Sequence, residues 1–343
     1  MANKQMGLAR AGRRKFIKWA SVGAIGAALS SGCRPGAEVL PPRSSEWKQG
    51  KSKVVVVTNP AIQAPRVMDP KAMQATVDTA MCRLMGTKSR KDAWAQLVTP
   101  QDVVGIKVNV CGGARNNCTH VEFVNAIATG LVEAGVPEEQ IIVWDRRDGE
   151  LIMAGYTISK GRKGMQCYGT PSFDRKSTTS GAVTTRYSTI ISKECSVIIN
   201  APYLKTSSGV GITIALKNHM GSMDNPWEYH RNGCDPYIAD IFAADVVRQK
   251  NKLNICDATY PLFNGGPHEN PSYHWAFNGV IASVDPVALD RVGTDILQEH
   301  RDREHGGSWP IRPAPRHIAT AASDRYKLGT DDPAHIEVDR IEV

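Results

Sequence analysis

The residue types best suited to chemistry are concentrated in Leu204-Lys-Thr-Ser-Ser-Gly-Val-Gly-Ile-Thr-Ile-Ala-Leu-Lys-Asn-His-Met-Gly221, which holds two lysines, a hydroxyl cluster, three glycines and an Asn-His pair near its end. Glycines let a backbone approach a ligand closely, and backbone N–H groups at a helix start favour anions. Lys205 and Lys217 can neutralise a carboxylate or phosphate. Lys217 can alternatively act as a desolvated base or an imine-forming lysine. The plainer alternative is a surface loop and helix whose lysines are solvated, and the sequence leaves both open. The segment lacks Gly-x-x-x-x-Gly-Lys-Ser/Thr, so it is not a P-loop.

Two further groups carry metal or acid–base potential. His219, His230, Cys234 and Asp235 lie close in sequence, and His120 and Cys118 can converge on them from elsewhere. The spacing His230-x-x-x-Cys234 suits two metal ligands one helical turn apart. Against this, Asp235-Pro236 reads as a helix start, which puts Cys234 in a turn and makes Asp235 a cap. Asn264-Gly-Gly-Pro-His268 marks a sharp loop that can turn His268 and His274 toward a cleft or leave them at the surface. The eight cysteines form no Cys-x-x-Cys pair, so a ferredoxin-type cluster or zinc knuckle is not expected. No Gly-x-Ser-x-Gly elbow is present, and no Gly-x-Gly-x-x-Gly follows a strand.

These residues must be positioned by alternating strands and helices. Apolar runs at Lys53–Thr58, Val103–Asn109, Ile141–Asp145, Val197–Asn200, Leu253–Asp257 and Gly279–Val284 read as strands buried on both faces. Helices are expected from Asp69-Pro70 to about Met85, from His120 to Ala134, from Asp235-Pro236 to about Arg248 and from Asp285-Pro286 to about His300. The pattern predicts an α/β fold with a mainly parallel sheet and helices on both faces, plus a small irregular or antiparallel insert at about 156–190. In such sheets ligands sit beyond the carboxyl ends of the strands. Lys107, Asn109, Asp145 with Arg146, Asn200, Asp257 and Asp285 stand there, and Asp285 reads best as a helix cap.

The first 33 residues carry a different message. Arg13-Arg14-Lys15-Phe16-Ile17-Lys18 precedes an apolar stretch from Trp19 to Leu29, which resembles a twin-arginine export signal. The stretch is short and rich in Gly, Ala and Ser for a membrane span. Cys33 offers a lipid-attachment alternative, although its Leu stands four residues before it and a lipobox wants three. Lys4, Arg10, Arg13, Arg14, Lys15 and Lys18 supply six of the formal +8 charges, which leaves +2 on the remainder. The basic balance is thus mostly an address, and no basic stripe interleaved with aromatics points to nucleic acid. The expected organisation is a signal at 1–33, a linker at 34–52 and one α/β domain at 53–343. The expected location is periplasmic or otherwise outside the cytoplasm, reached through the twin-arginine machinery. Membrane contact is expected only through the signal or a lipid on Cys33.

Several short segments, taken in order, resemble the family known as domain of unknown function 362, in an exported branch. They are Gly105-Ile-Lys-Val-Asn109, Thr119-His120, Ile142-Val-Trp-Asp-Arg146, Val197-Ile-Ile-Asn200, Ala215-Leu-Lys-Asn-His219, Gly233-Cys-Asp-Pro-Tyr237, Ile255-Cys-Asp257, Gly265-Gly-Pro267 and Asp285-Pro-Val-Ala-Leu-Asp290. The resemblance spans about residues 50–343 and implies an α/β core. Some relatives carry iron–sulfur modules, which implies a redox setting; this chain lacks their cysteine cluster. It also has Lys205-Thr206-Ser207 where relatives tend to show Lys-x-His. The expectation is an exported cofactor- or metal-dependent enzyme acting on a small anion. Lys107, Lys205 and Lys217 would hold the anion, and Asn109, Asn200, Asn218 and His268 would complete the ligand contacts. Lys205, Lys217, His219 and Asp257 would be catalytic, and His120, His219, His230 and Cys234 would be the metal-ligand candidates. The alternative is a non-catalytic binding or assembly protein for an exported redox complex.

Overall fold

The structure, a computed structural model, describes residues 51–65, 67–112, 115–161 and 163–343. The segment expected to be an export signal, Cys33 and the expected linker up to residue 50 lie outside the described residues. In chain order the strands are β1 (Ser52–Thr58), β2 (Val104–Val108), β3 (Ile141–Trp144), β4 (Gln166–Cys167), β5 (Thr178–Ser180), β6 (Val183–Thr185), β7 (Val197–Ala201), β8 (Tyr203–Ser207), β9 (Gly211–Thr213), β10 (Asn251–Leu262), β11 (Gly279–Ser283) and β12 (Ile336–Glu342). The α-helices are α1 (Pro70–Met85), α2 (Arg90–Ala95), α3 (Val121–Glu133), α4 (Asp148–Met153), α5 (Ala215–Asn218), α6 (Tyr237–Ala243), α7 (Asp245–Arg248), α8 (Pro286–His305) and α9 (His317–Ala322).

Ten strands join in one sheet ordered β12-β1-β11-β10-β7-β2-β3-β4, with β8 beside β10 and β9 beside β8. Most neighbours run parallel; β11 is antiparallel to both β1 and β10, and β9 is antiparallel to β8. The four valines of β1 explain the layering. Side chains alternate across a strand, so Val54 and Val56 enter one hydrophobic core while Val55 and Val57 enter the other. The second core is closed by α1, α2 and α3, and the first by α5, α6, α8 and α9. The insert expected at 156–190 divides in two: β4 extends the main sheet, and β5–β6 forms a separate antiparallel ribbon.

Helix ends follow the sequence signals closely. Asp69 caps α1 by accepting from Lys71 N and Ala72 N, and Gly86 ends it at φ 67°. Asp285 caps α8 through Val287 N and Ala288 N, and that helix runs to His305, past the expected end. Asp235 departs from expectation. α6 starts at Tyr237 without a side-chain cap. The helix expected to reach Arg248 without a break is interrupted at Ala244 (φ −59°, ψ 134°), and α7 restarts at Asp245. The Leu204–Gly221 segment is no surface loop: β8 and β9 form a hairpin with its strand residues buried, and α5 follows directly.

The contact between α2 and α3 tolerates no extra atom. Gly130 of α3 lies against the indole of Trp94, so an added Cβ would overlap Trp94 Nε1. Alanine favours an exposed helix over glycine by about 1 kcal/mol. Gly130→Ala is nevertheless expected to destabilise the protein by about 1–3 kcal/mol through overpacking. Chemical denaturation measures this, and a stabilised variant would contradict the packing described.

Candidate functional site

A cleft of about 330 Å³ opens where residues leave the carboxyl ends of β2 and β3, bounded on the other side by β8, β9 and α5. Four cationic side chains line it, Lys107, Arg146, Lys205 and Lys217, against two carboxylates, Asp145 and Glu150. Asn109, Asn218 and His230 also contribute to its wall. Six of the residues expected from sequence to bind or react, Lys107, Asn109, Lys205, Lys217, Asn218 and His230, are therefore gathered in one place.

Each charge has a distinct setting. Lys107 is buried, its Nζ donating to Asp145 Oδ1 and to Val108 O, both at 2.7 Å. Asp145 is fully engaged, since it also accepts from Val110 N and Arg146 N. Gly221 lies over this pair, and a Cβ there would come 2.7 Å from Asp145 Oδ1 and 2.9 Å from Lys107 Nζ. Lys205 is buried without an ion-pair partner, its Nζ donating to Cys111 O (2.8 Å) and Asn117 O (3.1 Å). Burial, reinforced by the nearby Lys217 charge, pulls its pKa down to about 8. Lys217 is only partly buried. Arg146 stands over the exposed Trp227 ring at 5.1 Å, and burial lowers its pKa. Burial also raises the Glu150 carboxyl.

The lysines and asparagines are held by a ladder of amides. Asn109 Nδ2 donates to Asn218 Oδ1 (3.1 Å), and Asn218 Nδ2 donates to Lys107 O (3.0 Å) and Asn200 Oδ1 (2.8 Å). Asn200 Nδ2 donates in turn to Ala215 O and Asn254 Oδ1. The backbone carbonyls of Lys107 and Ala215 accept only N–H, so they fix which end of Asn218 and Asn200 is oxygen. Asp290 of α8 completes the support by accepting from Ala215 N (2.7 Å) and Leu216 N (3.2 Å) at the start of α5. Thr119 ties two strand ends together, accepting from Asn109 N and donating to Ala201 O.

Other expected residues fall elsewhere. Asn200 is in the ladder rather than in the cleft. His120 and Asp257 form a separate buried pair at 2.7 Å, with Asp257 also accepting from His120 N and from the N–H and hydroxyl of Thr259. Burial pushes the Asp257 carboxyl up, but His120 and these hydrogen bonds outweigh it and hold the pKa below the usual value. His219 is fully buried beside Phe242 and Ser222, and burial and the Lys107 charge push its pKa down to about 3. It is therefore neutral near pH 7. His230 is exposed, its Nδ1–H donating to Pro226 O. Cys234 is buried in the apolar core, and His268 is exposed on the loop after Pro267.

The four residues expected to hold a metal, His120, His219, His230 and Cys234, are not brought together. His120 is bound to Asp257, His219 lies inside the core, and His230 stands at the cleft wall. Among the described residues no three His, Cys, Asp or Glu side chains converge as a metal-holding group. The roles of Thr213, Glu150, Trp227, Cys111 and Gly221 were missed in the sequence. None of the five carried a signal of its own; Thr213 comes opposite Lys205 only through the β8–β9 pairing.

Comparison with models of protein families matches residues 104–295 to the family described as "Domain of unknown function (DUF362)". That is more than half of the chain, and the chain belongs to this family. All nine segments named above fall within the matched residues. No curated protein matches. Among solved structures, one crystal structure of a Thermotoga maritima protein is similar with a TM-score of 0.41 and 8% identity. The likeness covers 68% of this chain and 59% of that one, so the chain spans less than two thirds of that protein's length.

The Lys107–Asp145 pair supplies a direct test of the site's construction. Removing one partner strands a buried charge. Asp145→Ala is expected to cost about 3–5 kcal/mol in chemical denaturation, and the double variant Lys107→Met/Asp145→Leu should recover most of it. A single variant as stable as the parent would refute the pairing.

Proposed function

We propose that the protein is an enzyme exported from the cytoplasm that acts on a small anionic molecule held in the Lys107–Lys205–Lys217 cleft. The observation carrying this reading is the excess of cations over carboxylates in a confined space beyond the strand ends. Burial raises the cost of an unpaired ammonium, and a bound carboxylate or phosphate relieves it. The amide ladder gives the site the rigidity that positioning needs. Export is supported by Arg13-Arg14 and the apolar stretch that follows them. No step is routed through a metal, because the ligand candidates do not converge.

A second reading, binding without turnover, has one observation in its favour. Asp145, the carboxylate paired with Lys107, already accepts from three donors.

Two outcomes follow. Calorimetry with phosphate, malate and succinate should detect an anion that binds at least about tenfold more weakly to Lys205→Met and Lys217→Ala, a loss of about 1.4 kcal/mol each. Binding should also weaken as pH rises through about 8, where Lys205 loses its proton. The stability contribution has the opposite sign. The unfolded lysine keeps its proton up to its ordinary 10.5, so this group's penalty on folding is full below about pH 8 and fades toward 10.5. Failure of every anion to bind would end the cleft reading. For export, Arg13→Lys/Arg14→Lys should leave the chain in the cytoplasmic fraction; unchanged delivery would refute the twin-arginine route.

A further inference from the structure

Lys205 and Thr213 are direct partners in the antiparallel register of β8 and β9. Side chains so paired leave the same face about 5 Å apart at Cβ, and both line the cleft. Two backbone carbonyls take two of the Lys205 N–H groups. Thr213 is buried, 4% exposed, and its Oγ1 has no hydrogen-bond partner. A buried hydroxyl left without a partner, on the cleft wall shared with a buried lysine, is costly in a protein interior. It makes sense where a ligand completes the group.

We propose that Lys205 forms a covalent imine with a small anion bearing an aldehyde or ketone, a 2-oxo carboxylate or a phosphorylated ketone, with Thr213 relaying the proton. This deepens the anion-binding reading and rests on it. Lys217 and the Lys107 end of the cleft take the anionic group, which brings the carbonyl carbon to Lys205 Nζ. The ammonium first releases a proton, exposing its lone pair, and the N–C bond forms as the C=O π pair moves onto oxygen. A second proton then leaves nitrogen. Both protons end on the former carbonyl oxygen, which departs as water, leaving a C=N bond with one positive charge. Lys205-NH3⁺ plus carbonyl thus gives the iminium plus water, and no oxidant or reductant is consumed. A hydroxyl both donates and accepts, so Thr213 can pass a proton from nitrogen to oxygen within the cleft. Desolvation near another cation is the setting in which lysine amines become nucleophilic near neutral pH, and the lowered pKa of Lys205 agrees with it.

Borohydride reduction makes the bond permanent and supplies the test. The full-length protein is incubated with sodium cyanoborohydride and pyruvate, 2-oxoglutarate or dihydroxyacetone phosphate, then examined by intact mass and peptide mapping. At least one probe should add a single reduced adduct that maps to Lys205, with a rate that climbs as pH rises toward 8. Lys205→Met should lose the adduct while keeping its circular dichroism and a Tm no lower than the parent's. Thr213→Val, which keeps the side-chain shape, should slow adduct formation by about 100-fold or more. No adduct from any probe, or labelling of Lys205→Met at the parent rate, overturns the proposal. So does a Thr213→Val rate equal to the parent for the relay. Calorimetry with phosphate, malate and succinate on the same samples separates the two readings. If those anions still bind through Lys205 and Lys217 but no adduct forms, the imine fails and the cleft stands; if none binds, both fail.

Discussion

Everything at the strand ends depends on amide hydrogen bonds running from Asn109 through Asn218 and Asn200 to Asn254. A parallel sheet leaves unpaired backbone groups and polar side chains where its strands stop, and burial makes any orphan there expensive. Here the ladder satisfies them and binds the one-turn helix α5 to three strands at once. So short a helix has almost no stability of its own. The Asp290 carboxylate from α8 and the amides hold it in place. Lys217 and Asn218 therefore owe their positions to residues distant in sequence, and the cleft is as rigid as the sheet.

The buried charges follow the same logic with a different solution at each. Lys107 is neutralised by Asp145, so it supplies a fixed dipole more than a free cation. Lys205 has carbonyl dipoles but no counter-ion, so its ammonium is held at a cost on the order of 3 kcal/mol, judged from the drop in its pKa. Asp257 is stabilised as an anion by His120 and Thr259. The cleft thus holds one buried cation with its counter-charge built in, Lys107, and one without, Lys205.

Much of this was legible in the sequence. Apolar runs without alternation marked strands covered on both faces, and Asp-Pro pairs at 69–70 and 285–286 marked helix starts because a carboxylate and a preset φ both suit a first turn. Lysines and asparagines at strand ends marked the cleft, since strand direction alone decides where such residues gather. Histidine roles were not legible. His120, His219 and His230 look alike in sequence, but one lies on a carboxylate, one in the core and one at the cleft wall, and only long-range packing separates them. Asp235 misled for a similar reason: Asp-Pro signals a helix start locally, yet the chain there places Asp235 outside the capping position. The hairpin that sets Lys205 opposite Thr213 hid behind glycines and hydroxyls that read equally well as a loop.

The first described strand has a history as well as a place. β1 lies between β11 and β12, with Val55 opposite Ala282 on one side and Asp339 on the other. While the chain is being made, its four valines have no partner strand until residues far downstream emerge. Until then they form an uncharged β-prone segment with open edges, the kind that recruits other chains. Contacts so distant in sequence also close slowly. The newborn protein thus passes through an interval in which a strand destined to be covered on both faces is its stickiest surface, and shielding by a chaperone would matter most at that stage.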